Sequence, residues 1–207
     1  MKIIIQLTAF IISLLISSSA MAVCNANIII TKPDSMYTDN NDGTVFDTNT
    51  GLMWQKCPLG LSGADCASGI QQQLDWQAAL NAANNNTGSG YTDWRVPNKN
   101  ELNSLIEYAC YSPAINENVF PGLSTVTNTE NFFWTSSPFT PGAGRDSHAT
   151  VWYINFNDGG TLPSPSTNLD VFNSKAELHS VRLVRGFVVL DNPQIQAPPD
   201  LSIPAAE

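Results

Sequence analysis

The chain is short of positive charge. Lys and Arg supply 9 of its 207 residues against 18 Asp and Glu, the two histidines count as neutral, and the formal net charge is −9. This shortage excludes a general electrostatic attraction for DNA, RNA or anionic lipid. No nucleic-acid partner is therefore expected.

Long hydrophobic runs are absent after the first 22 residues. A short basic start, an apolar run over residues 3–16 and the motif Ala20-Met21-Ala22 are typical of a secretory signal peptide, assigned to residues 1–22. The run is too short to span a bilayer with ease, which disfavours an uncleaved anchor. Lipidation at Cys24 is disfavoured by Val23 before it. We expect a secreted or periplasmic protein with no membrane span after cleavage, and with 8 basic against 18 acidic residues, a net charge of −10.

Motifs for catalysis or metal binding are also missing. The sequence has no C-x-x-C pair and no G-x-S-x-G elbow. Ser136, Ser137, Asp146 and His148 could be imagined as a catalytic triad, but nothing in their spacing requires one. We therefore expect no enzyme activity, no cofactor and no bound metal.

The four cysteines form an even set, which in an exported protein indicates disulfides. Three connectivities are possible. Cys57 and Cys66 flank the flexible stretch "PLGLSGAD" and can close locally, which leaves Cys24 to pair with Cys110. The second bond would tie an N-terminal segment, residues 23–35, to the rest of the chain. A zinc site is disfavoured because both histidines lie far downstream of the cysteines.

Residues 36–55, "MYTDNNDGTVFDTNTGLMWQ", predict three short strands joined by two turns. Asp42-Gly43 is typical of a tight hairpin. Asp39 and Asn41 could suggest calcium, but the glycine does not fit the register of an EF-hand loop. Turn chemistry explains these acids better.

Two helices are predicted next. "LDWQAALNAANNNTGSG" indicates a short helix capped by Asp75. "NKNELNSLIEYAC", residues 98–110, indicates a second helix, in which Asn98 and Glu101 form a capping box. Its apolar stripe consists of Leu102, Leu105, Ile106 and Ala109.

From residue 111 onward the pattern favours strands, in "ENFFWTSSPF", "ATVWYINFNDGG" and "HSVRLVRGFVVL". The order of strands, two helices and strands predicts an α+β domain. Phe156-Asn157-Asp158 resembles one half of a lectin calcium site, but Gly159 favours a hairpin turn. Residues 188–207 are expected to form a Pro-rich acidic tail.

The stretch "DWRVPNKNEL" has two interpretations. Arg95 could be an anion hook, or Asp93, Trp94 and Arg95 could form a structural clasp between the strand-like lead-in and the second helix. Carboxylates surround the arginine, with Asp93 beside it and Glu101 and Glu107 on the helix that follows. We therefore favour the clasp. If the ion pair is buried, Arg95→Ala should cost roughly 3–5 kcal/mol.

Aromatic residues give no clear binding platform. All five tryptophans lie in strand or helix patterns beside apolar residues and are expected to build the core. The loop "SPFTPGAGRDSH" is a better candidate, because ligand-binding residues are often carried by loops. Phe139, Arg145, Asp146 and His148 are the predicted ligand-binding residues.

The segments "DGTVFDTNTGLMWQKC", "LDWQAALNAAN", "GYTDWRVPNKNELNSLIEYACYSPAINENVFP", "FFWTSS" and "HSVRLVRG" occur in that order. Together they resemble the C-terminal domain of the Legionella collagen-like adhesin, over roughly residues 36–187. That family is similar in fold to C-type lectin-like domains and formylglycine-generating enzymes. The resemblance implies two helices flanking a small, irregular antiparallel sheet with long loops.

The resemblance also implies a function. The collagen-like family member is an adhesin that binds sulfated glycosaminoglycans, whereas this chain is acidic and has no Gly-x-y stalk. Formylglycine-generating enzymes use cysteines late in their fold, and none follows Cys110. We expect an exported, non-catalytic binding or adhesion module that recognises a glycan or an envelope protein. The alternative is a structural or assembly subunit of a periplasmic or surface complex.

Overall fold

The structure is a computed structural model that describes residues 22–123, 129–139, 150–163 and 174–186. Residues 1–21 of the predicted signal peptide and the predicted tail, 188–207, lie outside the described residues. Within the described residues, no helix is long and apolar enough to span a bilayer.

Two α-helices are present in the described residues, α1 (Trp76–Asn84) and α2 (Lys99–Asn103). The strands of the same residues are short and numerous. In chain order they are β1 (Val23–Cys24), β2 (Tyr37–Asp39), β3 (Thr44–Asp47), β4 (Met53–Gln55), β5 (Leu61–Ser62), β6 (Ser68–Gly69), β7 (Gln73–Leu74), β8 (Cys110–Tyr111), β9 (Phe132–Pro138), β10 (Val151–Asn155), β11 (Gly160–Pro163), β12 (His179–Ser180) and β13 (Val184–Arg185).

These strands form four sheets. The largest has the order β11-β10-β9-β12-β7, and a four-stranded sheet has the order β13-β4-β3-β2. The pairs β1–β8 and β5–β6 make two small sheets. In the five-stranded sheet β12 runs parallel to β9 while the other neighbours are antiparallel, so this sheet is mixed. The three strands predicted over residues 36–55 are present as β2, β3 and β4.

The expected fold class is wrong. The sequence and the resemblance predicted an α+β, C-type lectin-like arrangement with two helices flanking one small antiparallel sheet. The structure is mostly sheet, in several antiparallel or mixed sheets, and its two helices have 9 and 5 residues. Helices this short do not flank the sheets.

The second helix ends seven residues earlier than predicted because tertiary pairing replaces helical hydrogen bonds. The capping box of Asn98 and Glu101 is formed as expected. After Asn103, however, Ile106 forms a β-bridge with Ile115, and the next amide donates to a carbonyl of that same stretch. The predicted apolar stripe is still buried, although only Leu102 lies in the helix and the other three residues follow it.

The central strands are buried on both faces, and successive side chains enter two different cores. On β9, Phe133 belongs to one core and Trp134 to the other. On β10, Ile154 and Tyr153 divide in the same way. Since side chains alternate across a strand, each of these strands is a wall shared by both cores. Helix α1 packs its alanine face, including Ala79, into the second core.

Two disulfides join the pairs predicted from the sequence. Cys24–Cys110 spans 86 residues and Cys57–Cys66 spans 9. The first bond lies in the small β1–β8 sheet, where the two cysteines face each other in register. It thereby ties the N-terminal segment to the stretch that follows α2.

That segment is held at a second point by Glu107, which is 1% exposed. Its carboxylate accepts hydrogen bonds from the backbone N–H and hydroxyl of Thr31 and from the N–H groups of Lys32 and Ala109, at 2.6–3.0 Å. Burial raises the pKa of Glu107, but these hydrogen bonds outweigh it and hold the pKa below its ordinary value.

Candidate functional site

The described residues form a cleft of about 560 Å³. Three separate stretches of the chain build it. They are the turn between β2 and β3, the disulfide loop over residues 57–64, and the stretch 86–89 that follows α1. Residues 55 and 56, at the end of β4, lie between these walls. We call this feature the central cleft.

The β2–β3 turn forms the first wall and is built by Asx-type hydrogen bonds. Asp39 accepts from the N–H of Asn41, and Asp42 accepts from the N–H of Thr44, each at 2.9 Å. Gly43 has φ of 88°, which favours glycine. The acids of this stretch therefore take part in turn chemistry, as the sequence indicated.

The second wall is the loop closed by the disulfide between Cys57 and Cys66. Here Gly60 has φ of 92°, and a Cβ at this position would lie 2.2 Å from the carbonyl oxygen of Ile70. The backbones touch because the N–H of Ile70 donates to the carbonyl of Gly60. Only glycine permits this approach, so the wall depends on Gly60.

Polar side chains join the walls across the cleft. Gln55 donates to the side-chain oxygen of Asn86 at 2.8 Å, and the Ser89 hydroxyl donates to the carbonyl of Asp42 at 2.7 Å. The Lys56 ammonium lies 2.7 Å from an Asp39 oxygen. That hydrogen bond is the main reason why the pKa of Asp39 lies below its ordinary value. The cleft thus presents carboxylate, ammonium, amide and hydroxyl groups together.

The floor of the cleft is hydrogen-bonded to residues 181–183. The N–H of Gln55 donates to the Leu183 carbonyl at 2.9 Å, and the N–H of Leu59 donates to the Val181 carbonyl at 2.8 Å. Between them, the guanidinium of Arg182 donates to the carbonyls of residues 55 and 56. One short stretch after β12 therefore supplies several of the hydrogen bonds that hold this floor, beside the pairing of β4 with β3.

Arg182 is fully buried, and its charge faces aromatic rings rather than a carboxylate. The guanidinium carbon lies 5.1 Å from the ring centre of Phe120 and 5.9 Å from that of Phe133. Burial lowers the pKa of Arg182 to about 9. Cation–π contacts and two carbonyl acceptors hold this cation beneath the cleft.

Of the predicted ligand-binding residues, Phe139 is the one that the structure describes, and it does not line the central cleft. Phe139 is half-buried, and its ring packs edge-on against Trp152 with centroids 4.9 Å apart. Arg145, Asp146 and His148 lie outside the described residues, so the triad that includes the last two is not described either. Of the predicted serines, Ser137 accepts a hydrogen bond from the backbone N–H of Lys99.

The structural clasp is made of two separate ion pairs. Arg95 pairs with Glu101 through two hydrogen bonds of 2.7 Å, while Asp93 pairs with Arg185 on β13. Trp94 between them is buried and donates its indole N–H to a backbone carbonyl. The Arg95 side chain is 43% exposed and that of Glu101 is 18% exposed, so this pair is not a buried one.

The tryptophans divide into two groups. Trp54, Trp94 and Trp134 are buried, as predicted for core residues. Trp76 and Trp152 are half-buried, and each lies beneath a lysine ammonium, at 4.7 and 4.5 Å from the ring centre. Trp76 still packs against the second core from its edge, whereas Trp152 belongs to neither core cluster, so the expectation that all five build the core is wrong for Trp152.

His179 occupies a site that sequence reasoning missed. Its side chain is 6% exposed and is surrounded by three rings, those of Phe132, Trp134 and Tyr153, with centroids at 4.2–5.8 Å. Neither ring nitrogen has a well-aligned hydrogen bond. Burial lowers the pKa of His179 to about 4, so the ring is neutral at pH 7.

The sequence also missed the residues of the cleft. No local pattern marks these positions as functional, because each lies in a stretch whose composition indicates only a turn. They are Lys56, Asn86 and Ser89. The three Gly- and Asn-rich loops could have indicated a binding site. Their spacing in the sequence, however, does not show that they lie next to one another in the fold. Within the described parts of the chain, no group of three His, Cys, Asp or Glu side chains is placed to hold a metal ion.

Comparison with known proteins identifies the family of the chain. Residues 43–185 match the family model of the Lcl C-terminal domain. Since the match covers well over half of the chain, the protein belongs to the Lcl C-terminal domain family, as the resemblance indicated. No curated protein sequence matches the chain.

Proposed function

We propose that this protein is an exported, non-catalytic binding module that recognises an uncharged glycan in the central cleft. The observation that carries the proposal is the set of polar groups that three loops bring together there. Family membership supports an adhesin-like role. Two disulfides, and the absence of a membrane-spanning helix among the described residues, are consistent with export.

The chemistry of the cleft suits a sugar. Sugar hydroxyls both donate and accept hydrogen bonds. Amide and hydroxyl side chains can do both as well, and a carboxylate can accept from them. Gln55, Asn86, Asp42 and Ser89 supply such groups around a concave space large enough for a small ligand. The positive charge of Lys56 is already matched by Asp39, and the chain as a whole is acidic. These charges favour an uncharged or amino sugar over a sulfated one.

The non-catalytic part of the proposal rests on the reactive side chains. All four cysteines are in disulfides. His179, one of two histidines in the chain, is buried among rings and does not line the central cleft. The protein should therefore release a bound oligosaccharide without changing it chemically. Mass spectrometry of the glycan after long incubation with the protein would check this.

The decisive experiment is a glycan array with neutral, amino and sulfated oligosaccharides, followed by titration of a cleft variant. Asn41 and Ser89 lie at the cleft with φ of 60° and 54°, so Asn41→Gly with Ser89→Gly removes two polar groups without backbone strain. We expect binding to weaken at least about tenfold, roughly the 1–1.5 kcal/mol of one or two lost hydrogen bonds. Asn27→Gly, in an exposed turn of the N-terminal segment, is the matched control.

The proposal fails if the array shows no binding, if sulfated glycans bind best, or if the cleft variant binds like the wild type. An assembly subunit is the second candidate. It is favoured by exposed apolar side chains on and beside the N-terminal segment, with Ile29 87% exposed and Tyr108 and Tyr111 more than half exposed. Crosslinking of the protein in envelope extract, with and without Ile29→Asn, would test that candidate.

A further inference from the structure

We propose that His179 makes the central cleft sensitive to acid, because its protonation loosens the stretch 179–183 that holds the cleft floor. This inference deepens the proposed function by naming a regulation of the same site. It rests on two observations. The first is the aromatic surroundings of the imidazole, and the second is the set of hydrogen bonds between residues 181–183 and residues 55–59 of the cleft floor.

The surroundings of His179 accept only a neutral ring. Phe132 and Trp134 from β9 and Tyr153 from β10 surround it, and its neighbour across the antiparallel β7 pairing is Leu74. Aromatic rings attract a cation weakly compared with water, and taking a charge out of water is costly. Protonation of the imidazole would therefore favour a conformation in which the ring is exposed to solvent.

Few charged groups can offset this cost. In the described residues, the carboxylate within 4 Å of the ring belongs to Glu177, at 3.4 Å and about one-third exposed. The phenol of Tyr153 is the other titratable group beside it. Glu130, on the turn packed against β12, is exposed and meets this strand through its backbone carbonyl, which accepts from the Ser180 hydroxyl. Glu177 can offset part of the cost of protonation, but one carboxylate that is screened by solvent does not replace the whole hydration of an imidazolium.

The stretch that follows carries the cleft. β12 has two residues, and it joins β9 through a single bridge at Ser180. The next three residues hold the cleft floor through the carbonyls of Val181 and Leu183 and the guanidinium of Arg182. If the imidazole moves outward, this short stretch shifts with it, and the hydrogen bonds to residues 55–59 lengthen or break.

The test is residue-resolved amide hydrogen exchange at pH 7 and pH 5, corrected for the intrinsic effect of pH on exchange. The reporters are the N–H groups of Gln55 and Leu59. The pKa of His179 is about 4 in the folded protein and 6.5 when the stretch opens. The equilibrium constant for opening should therefore rise about 20-fold when the pH falls from 7 to 5. We expect protection of both amides to fall by about that factor in the wild type.

The amides of Thr31 and Lys32, bonded to Glu107, are the internal control and should change less than about threefold. His179→Gln, neutral at both pH values, should abolish the change at residues 55 and 59, and His179→Asn serves as a second variant. An unchanged wild type, an equal change at Thr31, or a change that persists in a folded variant would overturn the inference. The wild-type comparison alone decides if neither variant folds.

No ligand is present in this experiment. Its failure would therefore leave glycan binding at the cleft untouched, and a blank glycan array would leave the acid response untouched. If both hold, a neutral oligosaccharide identified on the array should bind more weakly at pH 5 than at pH 7 in the wild type, and equally at both in His179→Gln.

Discussion

Glu107 and His179 are both buried ionisable side chains, and their surroundings are opposite. The carboxylate of Glu107 accepts hydrogen bonds from three residues and is charged, whereas the imidazole of His179 meets three aromatic rings and is neutral. One site therefore stabilises an ion by replacing its hydration, and the other stabilises the fold only while no ion is there. The difference predicts which pH range weakens the structure around each of these two side chains.

The largest effect is expected at Glu107. Glu107→Ala leaves the N–H groups of Thr31, Lys32 and Ala109 without an acceptor, and should lower the free energy of unfolding by about 3–4 kcal/mol. Glu107→Gln keeps one acceptor oxygen and should lose about half as much, since its amide group cannot accept from the remaining donors. Urea denaturation at pH 7 measures both. A loss below about 1 kcal/mol for the alanine variant would show that the disulfide at Cys24 and the hydrogen bonds of Asn116 to residues 32 and 34 hold the segment without this carboxylate.

A smaller effect is expected from acid acting on His179. Its pKa is about 4 in the folded protein and 6.5 when exposed, so the unfolded chain binds the proton more readily. The stability it contributes is complete above pH 6.5 and is lost as pH falls towards 4, at about 2 kcal/mol between pH 7 and pH 5. Thermal melting across this range should show the loss in the wild type and not in His179→Gln.

The two buried groups can be separated by pH. Glu107 has a lowered pKa in the folded protein, so its contribution is present above the ordinary carboxylate range and is lost only as pH falls below about 4. Asp39, Asp93 and Glu101 are shifted in the same direction. A melting temperature that stays constant from pH 7 to 5 and falls only below pH 4 would contradict the role given to His179.

A still smaller effect is expected at the Arg95–Glu101 pair. The sequence suggested a loss of roughly 3–5 kcal/mol for a buried pair, but the arginine is close to half exposed. Solvent screening reduces the expected cost of Arg95→Ala to about 1 kcal/mol. Arg95→Lys should recover only part of it, because lysine lacks the planar fork. Wild-type melting combined with lost binding of an anionic ligand would instead identify Arg95 as an anion hook.

The smallest effect is expected from removing divalent metal. The oxygens of Glu107 accept from N–H and O–H groups, and Asp39 is paired with a lysine. A chelator should therefore shift the melting temperature by less than about 1 °C, since only an ion bound to the folded state would stabilise it. A drop of several degrees would mean that a carboxylate site for a cation has been overlooked.

Features set by neighbouring residues could be predicted from the sequence. The N-cap at Asp75, the capping box at Asn98 and the β2–β3 turn each need only a few consecutive residues, and each is present. The pairing of Cys57 with Cys66 is likewise local. Here short-range hydrogen bonds and loop closure decide the outcome.

Features set by distant residues could not be predicted. The second helix stops early because Ile106 pairs with Ile115, and propensity alone gives no warning of that bridge. The central cleft requires residues 39–43, 57–64 and 86–89 to meet, and each stretch by itself reads as an ordinary turn. The aromatic site of His179 draws on three strands. Its composition is visible in the sequence, but its assembly depends on the sheet order.

The bond between Cys24 and Cys110 has a consequence for the order in which the chain can mature. A ribosome makes Cys24 first and Cys110 last of the four cysteines, and the two partners are separated by 86 residues in sequence. Throughout that interval the thiol of Cys24 can meet only Cys57 or Cys66, which belong to each other. Fast oxidation of a nascent chain would thus produce mispaired species that need thiol–disulfide exchange to correct. Oxidative refolding with a disulfide isomerase should therefore yield more native protein than refolding with an oxidant alone.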